Sequence, residues 1–102
     1  MKIAFIGGGN MAEAMISAIL GNNLTEAEDI TVSDIDGTKL KILTQKYKII
    51  PAASNLIAIQ GKDVIILAIK PQMLIEVMQG IKDQIKPAQL VISIWLEKAS
   101  SH

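Results

Sequence analysis

The stretch that most constrains this chain is its first apolar run and the glycine turn that follows, residues 3–12 (IAFIGGGNMA). Gly7, Gly9 and Ala12 fill the three small positions of a G-x-G-x-x-G/A pattern. Gly7 lets the chain turn sharply off a strand, Gly9 leaves the backbone open to a ligand, and Ala12 lets a helix pack close to the strand. A helix beginning at Asn10 would aim free N–H groups and the positive end of its dipole at phosphate groups.

A glycine turn alone is common, but its surroundings favour a dinucleotide site. An apolar strand precedes the turn, a helical pattern follows it, and Asp34 lies 22 residues after Ala12 at the end of a second strand pattern. This order of strand, turn, helix, strand and acid is typical of a dinucleotide fingerprint. The alternative is a tight turn between a strand and a helix that binds nothing.

Composition narrows the class of protein. With 102 residues the chain has the size of one small domain. Half of the residues are hydrophobic and only 3% are aromatic, and this aliphatic bias suits a parallel sheet buried on both faces. The continuous apolar run Val64–Ile69 fits a central strand of such a sheet.

Charge and missing residue types exclude several functions. Ten lysines balance ten acidic residues and there is no arginine, so we expect no nucleic acid and no membrane surface as partner. The sequence has no cysteine, and its single histidine is His102, so we predict no metal site and find no candidate catalytic residue. We see no signal peptide and no apolar run long enough to span a membrane, which predicts a cytoplasmic protein.

Strand and helix patterns alternate along the whole chain. Strands are predicted over residues 2–6, 30–34, 48–51, 63–69 and 90–94, and helices over 10–20, 36–47, 54–61 and 71–86. Gly21 is predicted to follow the first helix as its C′ residue. The apolar face of that helix is predicted to consist of Met11, Ala14, Met15, Ala18 and Ile19.

This alternation predicts an α/β fold with a Rossmann-like, doubly wound parallel sheet of five strands in the order 3-2-1-4-5. Ligands of such sheets bind at the carboxyl ends of the strands, where the strand order reverses. The residues expected there are Gly7–Asn10 after the first strand and Ala68–Pro71 after the fourth.

Several polar residues near these ends have two interpretations. Asp34 could accept hydrogen bonds from an adenosine ribose, which favours NAD over NADP, or it could cap the turn near Asp36. Ser33 and Lys39 could instead meet a phosphate. Lys70 could lie near the nicotinamide or be a solvated lysine, and Asn55 could be only a helix cap.

Three segments together resemble the N-terminal region of pyrroline-5-carboxylate reductase: Ile6–Ala12, Leu67–Gln72 and Leu90–Ile94. That family reduces 1-pyrroline-5-carboxylate to L-proline with NADPH or NADH, a step of proline biosynthesis. The resemblance implies that the pyrophosphate is held by Ile6, Gly7, Gly8, Gly9, Asn10 and Met11. It implies that Ser33, Asp34 and Asn55 face the adenosine ribose, and that Ala68, Ile69, Lys70 and Pro71 line the path to the nicotinamide.

The sequence departs from the family in two places. Ile35 stands where many members carry an arginine for the 2′-phosphate, which puts the NADP preference in doubt. The family continues with S-x-A-A-G after the fifth strand, but here Ser93-Ile94 is followed by Trp95-Leu96. We therefore expect an incomplete NAD(P)-binding domain over 1–94, a non-family tail over 95–102, and a truncated reductase that is inactive alone.

Two alternatives stay open. One is the cofactor domain of another NAD(P)-dependent reductase, such as a deazaflavin-dependent NADP oxidoreductase. The other is a non-catalytic fragment that forms homo-oligomers through the exposed edge of the fifth strand, residues 90–96.

Overall fold

The computed structural model describes residues 1–94, which form one five-stranded parallel sheet covered by helices on both faces. The strands are β1 (Ile3–Ile6), β2 (Ile30–Ser33), β3 (Ile50–Pro51), β4 (Val64–Leu67) and β5 (Leu90–Ser93). The α-helices are α1 (Asn10–Gly21), α2 (Gly37–Tyr47), α3 (Asn55–Ile59) and α4 (Pro71–Ile81), with short 3₁₀ turns at Ala27–Asp29 and Lys82–Gln84. Every strand is one or two residues shorter at one end than predicted, and β4 is shorter at both ends.

The strand order is β3-β2-β1-β4-β5, and every pair is parallel. This confirms the predicted α/β class and the predicted order. The chain moves outward from β1 to β3 and then crosses to the other side of β1 to form β4. Ile6 is in register with Ser33 of β2 and with Leu67 of β4, so the carboxyl ends of these three strands meet at one edge.

The alternation of side chains along β1 divides the core into two layers. Ile3 and Phe5 point to the layer covered by α1 and α2, while Ala4 and Ile6 point to the layer covered by α3 and α4. All four residues of β1 are buried, as expected for the central strand of a sheet covered on both faces.

Local capping explains where three of the helices begin. Asp36 precedes α2, and its carboxylate accepts the N–H groups of Thr38 and Lys39. Ser54 precedes α3, and its hydroxyl accepts the N–H of Ile57. Pro71 is the first residue of α4, where its missing N–H removes no helical bond.

One prediction about α1 is wrong and another holds only in part. Gly21 is the last helical residue rather than a left-handed C′ residue, and the positive φ falls two residues later, at Asn23 (φ 54°). Of the predicted apolar face, Met15 and Ile19 pack against the core. Ala14 and Ala18 are exposed, whereas Ala12 and Ile16 are buried. The reason is the close approach of α1 to the sheet at Ala12, which places Ile16, one turn later, on the inner face.

The α4 helix ends at Ile81 rather than near Lys86, and it continues through Gly80 without a break. Within residues 1–94, no helix has the length and apolar character needed to span a membrane. The predicted boundary of a non-family tail at Trp95 concerns residues 95–102, which lie outside the described part of the chain.

Candidate functional site

The turn after β1 can be made only by glycine at its first position. Gly7 has φ +104°, and a Cβ there would lie 2.3 Å from the carbonyl oxygen of Ala68. Its N–H donates to the carbonyl of Ser33 at 2.8 Å. Gly7 therefore joins the carboxyl ends of β1, β2 and β4 at the point where the strand order reverses.

Gly8 faces β2 and α2 rather than the open edge of the sheet. Its N–H donates to Oδ2 of Asp34 at 2.7 Å, and a Cβ at Gly8 would lie 3.0 Å from Cδ1 of Leu43. The other oxygen of Asp34 accepts the N–H of Asp36 at 2.8 Å. Asp34 thus makes the turn contact near Asp36 that was one of its two interpretations, and the remaining lone pairs of the carboxylate leave it able to accept further hydrogen bonds.

Gly9 and the start of α1 form the open part of the turn. A Cβ on Gly9 would meet no atom within 4 Å. The first helical bond runs from the N–H of Glu13 to the carbonyl of Gly9. The N–H groups of Asn10, Met11 and Ala12 therefore precede the helical ladder, and the positive end of the helix dipole lies beside them.

Ser33, the last residue of β2, and Asn55, the first residue of α3, are in contact through their side chains. The hydroxyl of Ser33, a residue only 2% exposed, donates to Oδ1 of Asn55 at 2.6 Å. The interpretation of Asn55 as a helix cap is wrong, because Ser54 caps α3 and Asn55 is its first residue. The hydroxyl proton of Ser33 is engaged inside the protein rather than aimed outward.

These residues line a cleft of about 460 Å³ at the carboxyl edge of the sheet. It contains most of the predicted site residues, namely Ile6, Gly7, Gly9, Ser33, Asp34, Asn55, Ala68, Ile69 and Lys70. Gly8 and Asn10 line an adjoining cleft of about 330 Å³ between α1 and α2. Met11 and Pro71 line neither of these two clefts.

The cleft is also lined by four residues that are not among the predicted site residues: Ile35, Asp36, Met73 and Val77. Ile35 is 96% exposed although it is a large aliphatic side chain. Met73 and Val77 lie one turn apart on α4, so their spacing could have indicated a shared face. Two carboxylates, those of Asp34 and Asp36, line the cleft together with the ammonium-bearing side chain of Lys39.

Outside the cleft, α1 and α2 are joined by a charged cluster. Oε2 of Glu13 accepts hydrogen bonds from Nζ of Lys46 and from the hydroxyl of Tyr47, both at 2.8 Å. The bond from Lys46, followed by that from Tyr47, lowers the pKa of Glu13, and the same pair raises the pKa of Lys46. Among residues 1–94, no three His, Asp or Glu side chains are grouped so that they could hold a metal ion.

A parallel sheet of order 3-2-1-4-5 with a glycine turn at the switch point defines a Rossmann-like α/β domain. The chain belongs to the family described as NADP oxidoreductase, coenzyme F420-dependent, whose model matches residues 2–97.

Curated relatives confirm the resemblance to pyrroline-5-carboxylate reductases. Pyrroline-5-carboxylate reductase 1 of Bacillus spizizenii is 40% identical over 94 residues, which are 91% of this chain and 32% of the relative. A solved pyrroline-5-carboxylate reductase from Coxiella burnetii superposes with a TM-score of 0.85 at 31% identity, over 91% of this chain and 34% of that one. The chain therefore spans about a third of the length of the relatives it matches.

A Plasmodium falciparum pyrroline carboxylate reductase, solved with NADP bound, has a TM-score of 0.77 over 92% of this chain and 33% of that one. At 24% identity it shows only that the fold is shared.

Proposed function

We propose that this chain is the dinucleotide-binding part of a pyrroline-5-carboxylate reductase, an NAD(P)H-dependent oxidoreductase of proline biosynthesis. The observation that carries the proposal is the glycine turn at the switch point, with Gly7 at a positive φ, an unobstructed Gly9 and free N–H groups at the start of α1. The relatives, matched over 91% of this chain, support the substrate assignment. The chain corresponds to about a third of them, and we propose that it binds cofactor without catalysing reduction alone.

The pyrophosphate is proposed to lie against the backbone from Gly9 to Met11. A negatively charged group there would accept N–H groups that have no helical partner and would meet the positive end of the α1 dipole. The open space at the Cβ position of Gly9 supports this arrangement, because a ligand can reach the backbone without displacing a side chain.

The adenosine ribose is proposed to lie against Asp34, with Asn55 and the buried Ser33 behind it. The carboxylates of Asp34 and Asp36 both line this end of the cleft and would repel a 2′-phosphate. Ile35, between them, supplies no hydrogen-bond donor from its side chain, and among residues 1–94 Lys39 is the single cation lining this end. This balance favours NADH over NADPH.

The nicotinamide end is proposed to lie along Ala68, Ile69, Lys70 and the beginning of α4. The apolar side chains of Ile69, Met73 and Val77 line this side and would exclude water from a flat ring. When bound, a reduced nicotinamide supplies the hydride that reduces a C=N bond, and this part of the chain orients it.

The test is calorimetric titration of the purified chain with NADH and, separately, with NADPH. We expect NADH to bind more tightly, and binding of neither nucleotide at millimolar concentration would refute the proposal. Gly9→Ala should weaken binding because its methyl group enters the cleft. Gly21→Ala is the matched control, since a Cβ at Gly21 also meets no atom within 4 Å but lies at the far end of α1.

We also propose that the chain self-associates through β5. Leu90 and Ile92 are 56% and 36% exposed, and within residues 1–94 no strand pairs with the outer edge of β5. Unpaired strand edges with exposed apolar side chains favour pairing with a second copy. Sedimentation as a monomer at high micromolar concentration would refute this. A cytoplasmic location, and the lack of nucleic-acid and membrane partners, remain predictions from the sequence.

A further inference from the structure

We infer that Asp34 is a positioning residue that fixes the glycine turn before a nucleotide arrives. The inference rests on the proposed function and adds to it: the carboxylate organises the phosphate-binding backbone as well as facing the ribose.

The contacts of Asp34 connect three segments of the chain. One carboxylate oxygen accepts the N–H of Gly8 across 26 positions of sequence, and the other accepts the N–H of Asp36. Asp36 in turn caps the start of α2. The end of β2, the glycine turn and the first turn of α2 are therefore held by one side chain and its neighbour.

The contact also decides which N–H groups are available to a phosphate. Because the N–H of Gly8 points to Asp34, it is not aimed at the open cleft, and the available donors lie further along, at Asn10 and Met11. Gly8 is buried, and a Cβ there would lie 3.0 Å from Leu43 and 3.4 Å from the Asp34 carboxylate. Glycine at this position allows the turn to sit directly against the carboxylate.

Three consecutive glycines have large backbone freedom in the absence of tertiary contacts. A ligand that must order such a turn loses affinity, whereas a turn that is already ordered does not. A charge-assisted hydrogen bond to the middle glycine is a direct way to order it.

Inorganic pyrophosphate separates this role from ribose recognition, because it has no ribose. Asp34→Ala and Asp34→Asn both remove the negative charge, but only asparagine keeps an oxygen that can accept the N–H of Gly8. We expect Asp34→Ala to bind pyrophosphate about threefold to tenfold more weakly than Asp34→Asn. The exchange of the Gly8 amide hydrogen should be about tenfold faster in the alanine variant than in the asparagine variant.

Asp63→Ala is the matched control, because Asp63 also accepts a backbone N–H, that of Lys2, but at the opposite edge of the sheet. It should leave both pyrophosphate binding and Gly8 exchange unchanged. Equal pyrophosphate affinity and equal Gly8 exchange in the two Asp34 variants would overturn the inference and leave Asp34 as a ribose contact alone.

Gly8 exchange keeps the inference testable in two other cases. If the unaltered chain binds neither pyrophosphate nor NADH, the proposed function fails. Slow exchange of the Gly8 amide hydrogen that becomes faster in Asp34→Ala would still support the role of Asp34 in ordering the glycine turn. If Asp34→Ala does not fold, the exchange of the Gly8 amide hydrogen in the unaltered protein is the test. Protection well above that of the Gly9 amide supports the role of Asp34, and equal exchange of the two amides overturns it.

Discussion

The position that a Cβ of Gly7 would occupy lies 2.3 Å from the carbonyl oxygen of Ala68, so the ends of β1 and β4 meet without room for a side chain. The backbone of Gly7 is also in a region that other residues rarely adopt, at φ +104°. Both the steric contact and the strain oppose any substitution. Gly7→Ala should lower the free energy of unfolding by roughly 2–4 kcal/mol, measured by urea denaturation.

Gly80→Ala is the matched control for that prediction and has the opposite expected sign. A Cβ at Gly80 meets no atom within 4 Å, and the residue lies inside α4. Alanine there should raise the free energy of unfolding by about 0.5–1 kcal/mol because glycine is a poor helix former. Similar unfolding midpoints for the two variants would contradict the account of the turn.

The buried hydroxyl of Ser33 depends on Asn55. Asn55→Ala leaves that hydroxyl without its partner in a residue only 2% exposed, and should lower the free energy of unfolding by about 1–3 kcal/mol. Asn55→Asp retains an oxygen that accepts the bond and adds a negative charge in the first turn of α3, so it should stay close to the unaltered protein. Equal destabilisation by both substitutions, measured by thermal unfolding, would show that the hydrogen bond is not the cause.

The sheet could be predicted from sequence because its determinants are local or follow general rules. When aliphatic strands alternate with helices and the crossovers are right-handed, only a few sheet topologies are possible. The strand order 3-2-1-4-5 could be predicted for this reason. The helix starts at Asp36 and Pro71 could also be predicted from sequence, because a capping side chain and a proline affect only the backbone next to them.

The contacts inside the site were harder to predict, since they join residues distant in sequence. The bond from Gly8 to Asp34 requires the β1–β2 register and the docking of α2 through Leu43. The pairing of Ser33 with Asn55 likewise depends on where α3 begins beside β2. The α1 face was predicted only in part, because the tight approach at Ala12 brings Ile16 to the inner face beside Met15 and leaves Ala14 and Ala18 exposed. Propensity and spacing describe single elements, whereas these contacts arise from packing between elements.

The cluster of Glu13, Lys46 and Tyr47 predicts a pH dependence of stability. Because Lys46 and Tyr47 lower the pKa of Glu13 below its usual 4.5 in the folded state, the unfolded chain binds that proton more tightly. The contribution of Glu13 to the free energy of unfolding is therefore fully present above pH 4.5. It is lost as the pH falls through the lower pKa that Glu13 has in the folded protein. Glu13→Gln should reduce the loss of unfolding free energy between pH 4.5 and lower pH, measured by urea denaturation at several pH values.

The effect of Glu13→Gln should be small and should decrease with salt, since the side chain of Lys46 is 60% exposed. Glu76→Gln is the matched control, because Glu76 is an exposed glutamate for which the described residues provide no ion-pair partner. If Glu76→Gln changes the loss of unfolding free energy at acidic pH as much as Glu13→Gln does, the cluster of Glu13, Lys46 and Tyr47 is not its source.

Ile35 provides the sharpest test of nucleotide preference. It is 96% exposed, so substitution there should not disturb folding, and it lines the end of the cleft proposed to hold the ribose. Ile35→Arg introduces a guanidinium that can bind a 2′-phosphate through two hydrogen bonds. The affinity for NADPH relative to NADH should rise about tenfold, a change of about 1.4 kcal/mol, measured by parallel calorimetric titrations.

Ile75→Arg adds the same charge at an isoleucine that is 71% exposed on α4 and lines neither cleft, so it should leave the ratio unchanged. If Ile35→Arg increases the affinity for both nucleotides equally, the ribose 2′ position does not lie beside Ile35.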